Sequence, residues 1–278
     1  MDNPLVSVYL PTYNRISLLR RAVDSVLNQS YKKIELLVVD DGSIDGTSEY
    51  LHDLAERDAR VIVIDKQKTG KKRGAPASRN LAIENSRGKF VTGLDDDDYF
   101  HKDRIKRFVD IYSPEFSCIS SNFYKITGSG SFKKNSLLSR KISYRDLFEK
   151  NFLGSQIFVE KKRIIGAGLF DESLKASQDL DMWIRITKLY GQALRIKDYL
   201  YYMDVSHGGA RISSAHSRAI GTKQFLEKYR YEMSHSQVLY KSDSVGESPV
   251  RGLKKAFRIK EYGAKITMNI IRDKLKIS

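Results

Sequence analysis

The apolar positions of the chain begin as a short run, Leu5-Val6-Ser7-Val8-Tyr9-Leu10, stopped by Pro11. Beyond Asn14 the period changes, with Leu18, Leu19, Ala22, Val23, Val26 and Leu27 recurring at helical spacing. This predicts strand, loop, helix. Residues 34–39 form a near-continuous β-rich run of the kind buried on both faces of a parallel sheet, ended abruptly by Asp40-Asp41-Gly42-Ser43. A helix over 47–54, a strand over 61–64, a helix over 76–85 and a strand over 90–94 follow. Such alternation implies a parallel sheet with helices on its faces, and ligands of such sheets bind outside the carboxyl ends of the strands.

The second half is less regular. Residues 103–112 read as a helix, 116–126 as one or two strands, and Gly128-Ser129-Gly130-Ser131 with Lys133-Lys134 as a mobile basic loop. Ser143 and Ser177 are placed to cap helices over 144–150 and 179–190, with a strand over 155–159 between them. Leu180, Trp183, Ile184 and Thr187 share one face of the later helix, so Trp183 is expected in the core or in the wall of a binding site. Two short strands near 193–196 and 199–203, a loop over 204–214, a helix over 218–231, a polar linker over 241–249 and a helical basic end complete the chain.

Composition narrows the class. Lys and Arg number 49 against 34 Asp and Glu, a net charge of +15, which favours polyanions, anionic lipids or phosphorylated substrates as partners. From Arg251 to Lys276 there are nine basic residues and two acidic ones, so about half of the excess lies in the last tenth of the chain. Leu253, Phe257, Ile266, Ile270 and Ile271 are interspersed there, the pattern of a helix lying on an anionic membrane surface. The lone Cys118 rules out a disulfide framework and reads as a small buried thiol. No signal segment precedes the first strand and no window holds eighteen consecutive apolar residues, which points to a cytoplasmic protein, peripheral on the inner face of the cell membrane.

Candidate chemistry concentrates in the loops after the strands: Pro11-Thr12-Tyr13-Asn14-Arg15, Asp40-Asp41-Gly42-Ser43 and Asp95-Asp96-Asp97-Asp98. Neighbouring carboxylates roughly 6 Å apart repel by about 0.7 kcal/mol per pair even in water, so four in a row call for something positive. A hard divalent cation with oxygen ligands fits.

These loops, with Ala77-Ser78-Arg79-Asn80, Gly168-Leu169-Phe170-Asp171-Glu172 and Ser177-Gln178-Asp179-Leu180-Asp181-Met182-Trp183-Ile184-Arg185, give the chain a resemblance to the family 2 glycosyltransferases of the GT-A fold over residues 5–214. The resemblance implies an α/β protein with a Rossmann-like, mostly parallel central sheet and flanking helices, here with a helical basic C-terminal extension. It implies a nucleotide-sugar-binding half over 1–100, an acceptor-binding half over 101–215 and the extension over 216–278. The implied activity is inverting transfer of a sugar from a nucleotide-sugar donor, most often a UDP-sugar, to a glycan hydroxyl in bacterial O-antigen or capsule assembly.

By the same resemblance, Asp41 reads the base and Pro11, Thr12, Tyr13, Asn14 and Arg15 pack along the nucleoside. Arg79, Asp95, Asp96 and Arg211 serve the donor, while Asp97 and His207 hold Mn²⁺ or Mg²⁺. Asp179 is the general base, and Trp183 and Asp181 lie on the acceptor side. Gln178 departs from the family's Glu-Asp pair, which unsettles the pair's detailed role but leaves Asp179. Asp181 also competes for the base role, although its spacing to Arg185 suggests an ion pair on the helix surface. The partners implied are the donor, a lipid-linked glycan acceptor and an anionic membrane surface, with no nucleic acid. Two rival readings are a metal-dependent nucleotidyltransferase or nuclease, and a non-catalytic peripheral membrane-binding protein. There is no P-loop and no zinc-type Cys/His spacing. Donor-dependent release of a nucleoside diphosphate separates the three.

Overall fold

The computed structural model describes residues 3–70, 74–128, 132–135, 140–207 and 215–243. Its elements are β1 (Val6–Thr12), α1 (Ile16–Leu27), β2 (Ile34–Asp40), α2 (Thr47–Arg57), β3 (Val61–Asp65), a 3₁₀ turn (Lys66–Thr69), α3 (Ala75–Asn85), β4 (Phe90–Gly93), β5 (Tyr99–Phe100), α4 (Arg104–Asp110), β6 (Ile119–Ile126), β7 (Phe132–Asn135), β8 (Arg140–Ile142), α5 (Tyr144–Glu149), β9 (Phe158–Glu160), α6 (Lys161–Gly166), α7 (Gln178–Tyr190), β10 (Ala193–Asp204), α8 (Ala215–Tyr229) and α9 (His235–Asp243). The chain divides into two compact units, Met1–Phe225 and Leu226–Ser278. In the second, the described residues are the last turn of α8, the segment after it and α9.

One sheet runs through the first unit in the order β3-β2-β1-β4-β9-β6-β10-β5, with β7 paired to β6 and β8 to β10. Among the described strands, β1 to β4, β6 and β10 point one way, while β9 enters antiparallel between β4 and β6. The apolar runs explain the middle of the sheet. Every residue of β2 is buried, and Val6, Val8 and Leu10 of β1 pack with Leu19, Ala22, Val23 and Val26 of α1. A strand covered on both faces has no polar face to display, which is why its sequence does not alternate.

Several expectations change. Residues 132–135, expected in a mobile loop, form β7 and pair antiparallel with β6. The two short strands after α7 are one strand, β10, whose register shifts between Arg195 and Tyr201 account for the break in its pattern. Ser143 caps α5 with a full capping box, its hydroxyl and Asp146 satisfying each other's backbone N–H groups. Ser177 does not cap α7: it sits in the left-handed region, φ 61°, with no side-chain bond to the helix. The expected polar linker is helical as far as Asp243, in α9. Cys118 is buried, and burial pushes its thiol up to about 12, far from any nucleophile. Among the described residues no helix is long and apolar enough to cross a membrane. The basic stretch beyond residue 249 lies outside the described residues.

Candidate active site

Parallel register brings three polar loops to one edge. Thr12 pairs with Asp40 and Tyr9 with Gly93, so β1, β2 and β4 deliver their following residues side by side. The first two loops clasp each other: Asn14, at φ 52°, donates its N–H to Ser43 Oγ at 2.8 Å and accepts the Ile44 N–H at 2.7 Å. Asparagine tolerates this left-handed conformation because its short amide bonds locally. Gly93 is required by close approach, since a Cβ there would lie 1.9 Å from Gln156 Oε1 and 2.4 Å from the Tyr9 ring.

Each aspartate of the cluster has different company. Asp95 Oδ1 accepts from Arg79 at 2.8 Å and Gln156 at 3.2 Å. Asp96 accepts from Thr12 Oγ1 at 2.9 Å and Arg15 at 3.1 Å; Arg15 reaches Asp97 Oδ2 at 2.9 Å with the same nitrogen. Asp98 turns inward to the Tyr201 hydroxyl at 2.6 Å and the Asp204 N–H at 2.8 Å. Arg21 spans the Asp97 carbonyl and the Asp204 carboxylate, tying the end of β10 to the cluster. Burial dominates the titration. It pushes Asp96 up to about 6 against the pull of Arg15, raises Asp97 with help from Asp95, and lifts Asp98 well above the usual carboxylate range.

His207 Nε2 stands 3.3 Å from Asp97 Oδ2, outside hydrogen-bond alignment, and both ring nitrogens are buried without a hydrogen-bond partner among the described residues. An orphaned imidazole beside a carboxylate fits a metal ligand pair. No three His, Cys, Asp or Glu side chains among the described residues are grouped to hold an ion by themselves. Further oxygens would come from a phosphorylated ligand, the usual arrangement for Mg²⁺.

Two cavities meet here. One of about 700 Å³ is lined by Pro11, Thr12, Tyr13, Asn14, Arg15, Asp41, Asp96 and His207, within the size range of small-molecule sites. Another of about 350 Å³ shares Pro11, Arg15 and Asp96 and adds Arg79, Asp95, Asp97, Asp98, Lys175 and Gln178. Asp179, next to Gln178, accepts from Asn151 Nδ2 at 3.0 Å. Burial raises its pKa despite bonds from its own N–H and that of Leu180 and the pull of Arg79, and the influence of Asp95 on it places it within electrostatic reach of the cluster. The strained φ of Ser177 lies two residues before it.

The candidates thus converge, with exceptions. Trp183 and Asp181 are both 0% exposed and line neither of these two cavities. Trp183 donates to the Gly154 carbonyl at 2.9 Å, and Asp181 is paired with Arg185 at 2.7 Å. That pair, expected on the helix surface, is buried, because Arg185 also donates to the carbonyls of Ala167 and Leu169. Arg211 lies outside the described residues. Gln156, Asn151, Arg21 and Lys66 were not foreseen. The first two fall in a stretch without periodicity, Arg21 reads as an ordinary exposed helix position, and Lys66 is one of several lysines in its segment.

A family model described as glycosyl transferase family 2 matches residues 7–172. The chain is 30% identical to the putative colanic acid biosynthesis glycosyl transferase WcaA of Escherichia coli K12, over 86% of each chain. It is 29% identical over 82% of its length to an uncharacterized glycosyltransferase of Rickettsia felis, of which it spans 35%. Among solved structures, Staphylococcus aureus TarS 1–349 in complex with UDP-GlcNAc superposes with a TM-score of 0.63 at 19% identity, covering 86% of this chain and 72% of that one. The Pyrobaculum calidifontis mannosyltransferase PcManGT in complex with GDP-Man and Mn²⁺ gives 0.59 at 16% identity, covering 95% and 81%. The mixed α/β sheet with its flanking helices is the GT-A architecture of these neighbours.

Proposed function

The chain belongs to glycosyl transferase family 2, and from that premise we propose that it moves a sugar from a UDP-sugar to a hydroxyl of a bacterial surface glycan, with inversion at the anomeric carbon. The observation that carries this reading is the meeting of the two cavities at Pro11, Arg15 and Asp96. The larger has Asp41 and the half-exposed Tyr13 at the nucleoside end and Arg15, Asp96 and His207 at the other, a suitable bed for a nucleoside diphosphate. The smaller is lined by Gln178, the neighbour of Asp179 in the chain, and an acceptor hydroxyl would enter on that side. Relatives named for polysaccharide assembly support the substrate class.

A divalent ion held by Asp97 with His207, Mn²⁺ or Mg²⁺, would supply Lewis-acid neutralisation of the leaving diphosphate. Arg15 and Arg79 hold the carboxylates in place and offer guanidinium donors toward phosphate oxygens. Asp179 takes the proton of the acceptor hydroxyl as that oxygen bonds to the anomeric carbon and the bond to the diphosphate breaks. Asn151 orients the Asp179 carboxylate. A single displacement from the face opposite the leaving group inverts the configuration.

The reading is tested by a screen of nucleotide-sugars with purified protein and Mn²⁺, scoring release of nucleoside diphosphate and the anomer of the product by NMR. Absence of release from every sugar nucleotide, in the presence of mixed lipid-linked and soluble glycans, would reject it. We further place the protein on the cytoplasmic face of the membrane, with residues 250–278 on anionic lipid near a lipid-linked acceptor. Equal sedimentation with anionic liposomes of chains with and without that segment would count against this.

A further inference from the structure

The chemistry above leaves one buried ion pair unused. Lys66 opens the 3₁₀ turn after β3 and is 1% exposed, although lysine is almost never fully buried without a partner. Its Nζ stands 3.1 Å from Asp41 Oδ1 and donates to Ser78 Oγ at 2.9 Å and the Gly74 carbonyl at 3.1 Å. An ammonium has three donors, and these acceptors take all of them. The other oxygen of Asp41 accepts the Gly74 N–H at 2.7 Å. The carboxylate at the rim of the larger cavity is therefore gripped at both oxygens by its own chain, and Lys66 has no donor left for a ligand. Ser78 precedes Arg79, whose guanidinium bonds Asp95. One lysine thus ties the nucleoside end of the site to the helix that serves its diphosphate end.

We infer that Lys66 is a positioning residue that holds Asp41 as a fixed, acceptor-only carboxylate and so makes the site select nucleotides whose base offers a ring N–H. Uracil, thymine and guanine present such an N–H; cytosine and adenine present a ring-nitrogen acceptor at the same edge, which a carboxylate repels. The inference rests on the proposed nucleotide-sugar reading, in which Asp41 faces the base. Lysine suits the position because its three donors spread tetrahedrally onto three acceptors, whereas arginine offers a planar fork.

Calorimetry on the full chain with Mn²⁺ tests this, using UDP, GDP, CDP, ADP and inorganic pyrophosphate as probes. The parent protein should bind UDP or GDP at least about tenfold more tightly than CDP and ADP, the discrimination expected when a wrong partner leaves a buried polar group unmatched. K66M should lose about 10- to 100-fold in affinity for the preferred diphosphate and flatten the preference among bases, while pyrophosphate binding stays within about twofold. A purely structural role would weaken nucleotide and pyrophosphate by the same factor, and that result overturns the inference. Should K66M fail to fold, K66R carries the test: it keeps the charge but not the three-way geometry, so the preference should narrow with pyrophosphate affinity retained. A preference unchanged in every folded Lys66 variant overturns the role of Lys66 alone. Failure of the parent protein to bind any nucleoside diphosphate overturns this inference together with the glycosyl-transfer reading.

Discussion

At the amino ends of the strands, Glu35 is 1% exposed and accepts from the Ser7 hydroxyl and the Arg87 N–H, each at 2.6 Å, and from Arg87 Nε at 2.9 Å. At the carboxyl ends, Asp96 and Asp98 are each 4% exposed, no less enclosed in kind, yet they stand among other carboxylates. The outcomes are opposite. Burial alone would raise the Glu35 pKa, but the Ser7 and Arg87 bonds outweigh it and the group titrates below its ordinary value. Burial prevails at the other end, where Asp96 rises to about 6. A carboxylate that accepts three bonds from its own chain, with no other carboxylate beside it, is part of the scaffold. One that accepts two and is crowded by other carboxylates in a cavity is shaped for a cationic partner, as perturbed groups at sites generally are.

The sharpest way to break this contrast is Asp97→Asn. It removes a charge from the cluster and should relieve repulsion, so the fold should persist while turnover falls by about 10³-fold or more, the scale of losing an electrostatic stabiliser of developing charge. Turnover that survives in chelator-treated buffer would return Asp97 to the scaffold class.

Asp179→Asn should lower turnover by about 10²- to 10⁴-fold, the range of general base catalysis, with donor affinity preserved. Because burial raises the Asp179 pKa, the ionised base is lost as pH falls through a value above the ordinary carboxylate range. Activity of the parent protein should therefore rise with pH along an acid limb placed above that range, and the residual activity of the variant should lack the limb. Rate profiles of both proteins against pH, alongside nucleotide calorimetry, check each part.

Glu35→Gln acts on stability instead. Losing a charge that accepts three bonds should cost about 2 kcal/mol of folding free energy, with turnover per folded molecule unchanged. The folded pKa is depressed, so this stabilisation is complete above the unfolded value near 4.5 and is lost as pH falls through the folded one. Thermal melts of the two proteins should differ at pH 7 and converge in strong acid. A loss of turnover at constant folded fraction would instead link the two ends functionally.

Arg87→Ala should have the smallest effect, about 0.5–1 kcal/mol, because the guanidinium is largely exposed and the backbone N–H continues to hold Glu35. A loss as large as that of Glu35→Gln would show that the side chain, not the backbone, secures the carboxylate.

Much of this was open to reading from residues in order. The short, near-continuous apolar runs specify β1 to β4 because a covered strand must be apolar. The loops after them carry Asp41, Asp95 and Asp97, since polar residues that end such strands have only the sheet's edge to occupy. The second half resisted because β9 and β10 cross the sheet out of sequence order. Pairing between strands distant in the chain leaves no local period, and Phe132–Asn135 became a strand only because β6 was there to receive it.

Charge was misread where only packing could decide. Sequence placed Asp181 and Arg185 one helical turn apart and so determined that they could pair, but three-dimensional packing buried the pair and left it out of both cavities at the site. Lys66 was indistinguishable from its neighbouring lysines until the fold brought Asp41, Gly74 and Ser78 around its one ammonium. The physical reason is the same in both cases. Residue type and spacing fix what a side chain can bond, whereas its solvation, and hence the worth of each bond, depends on elements that arrive from elsewhere in the chain.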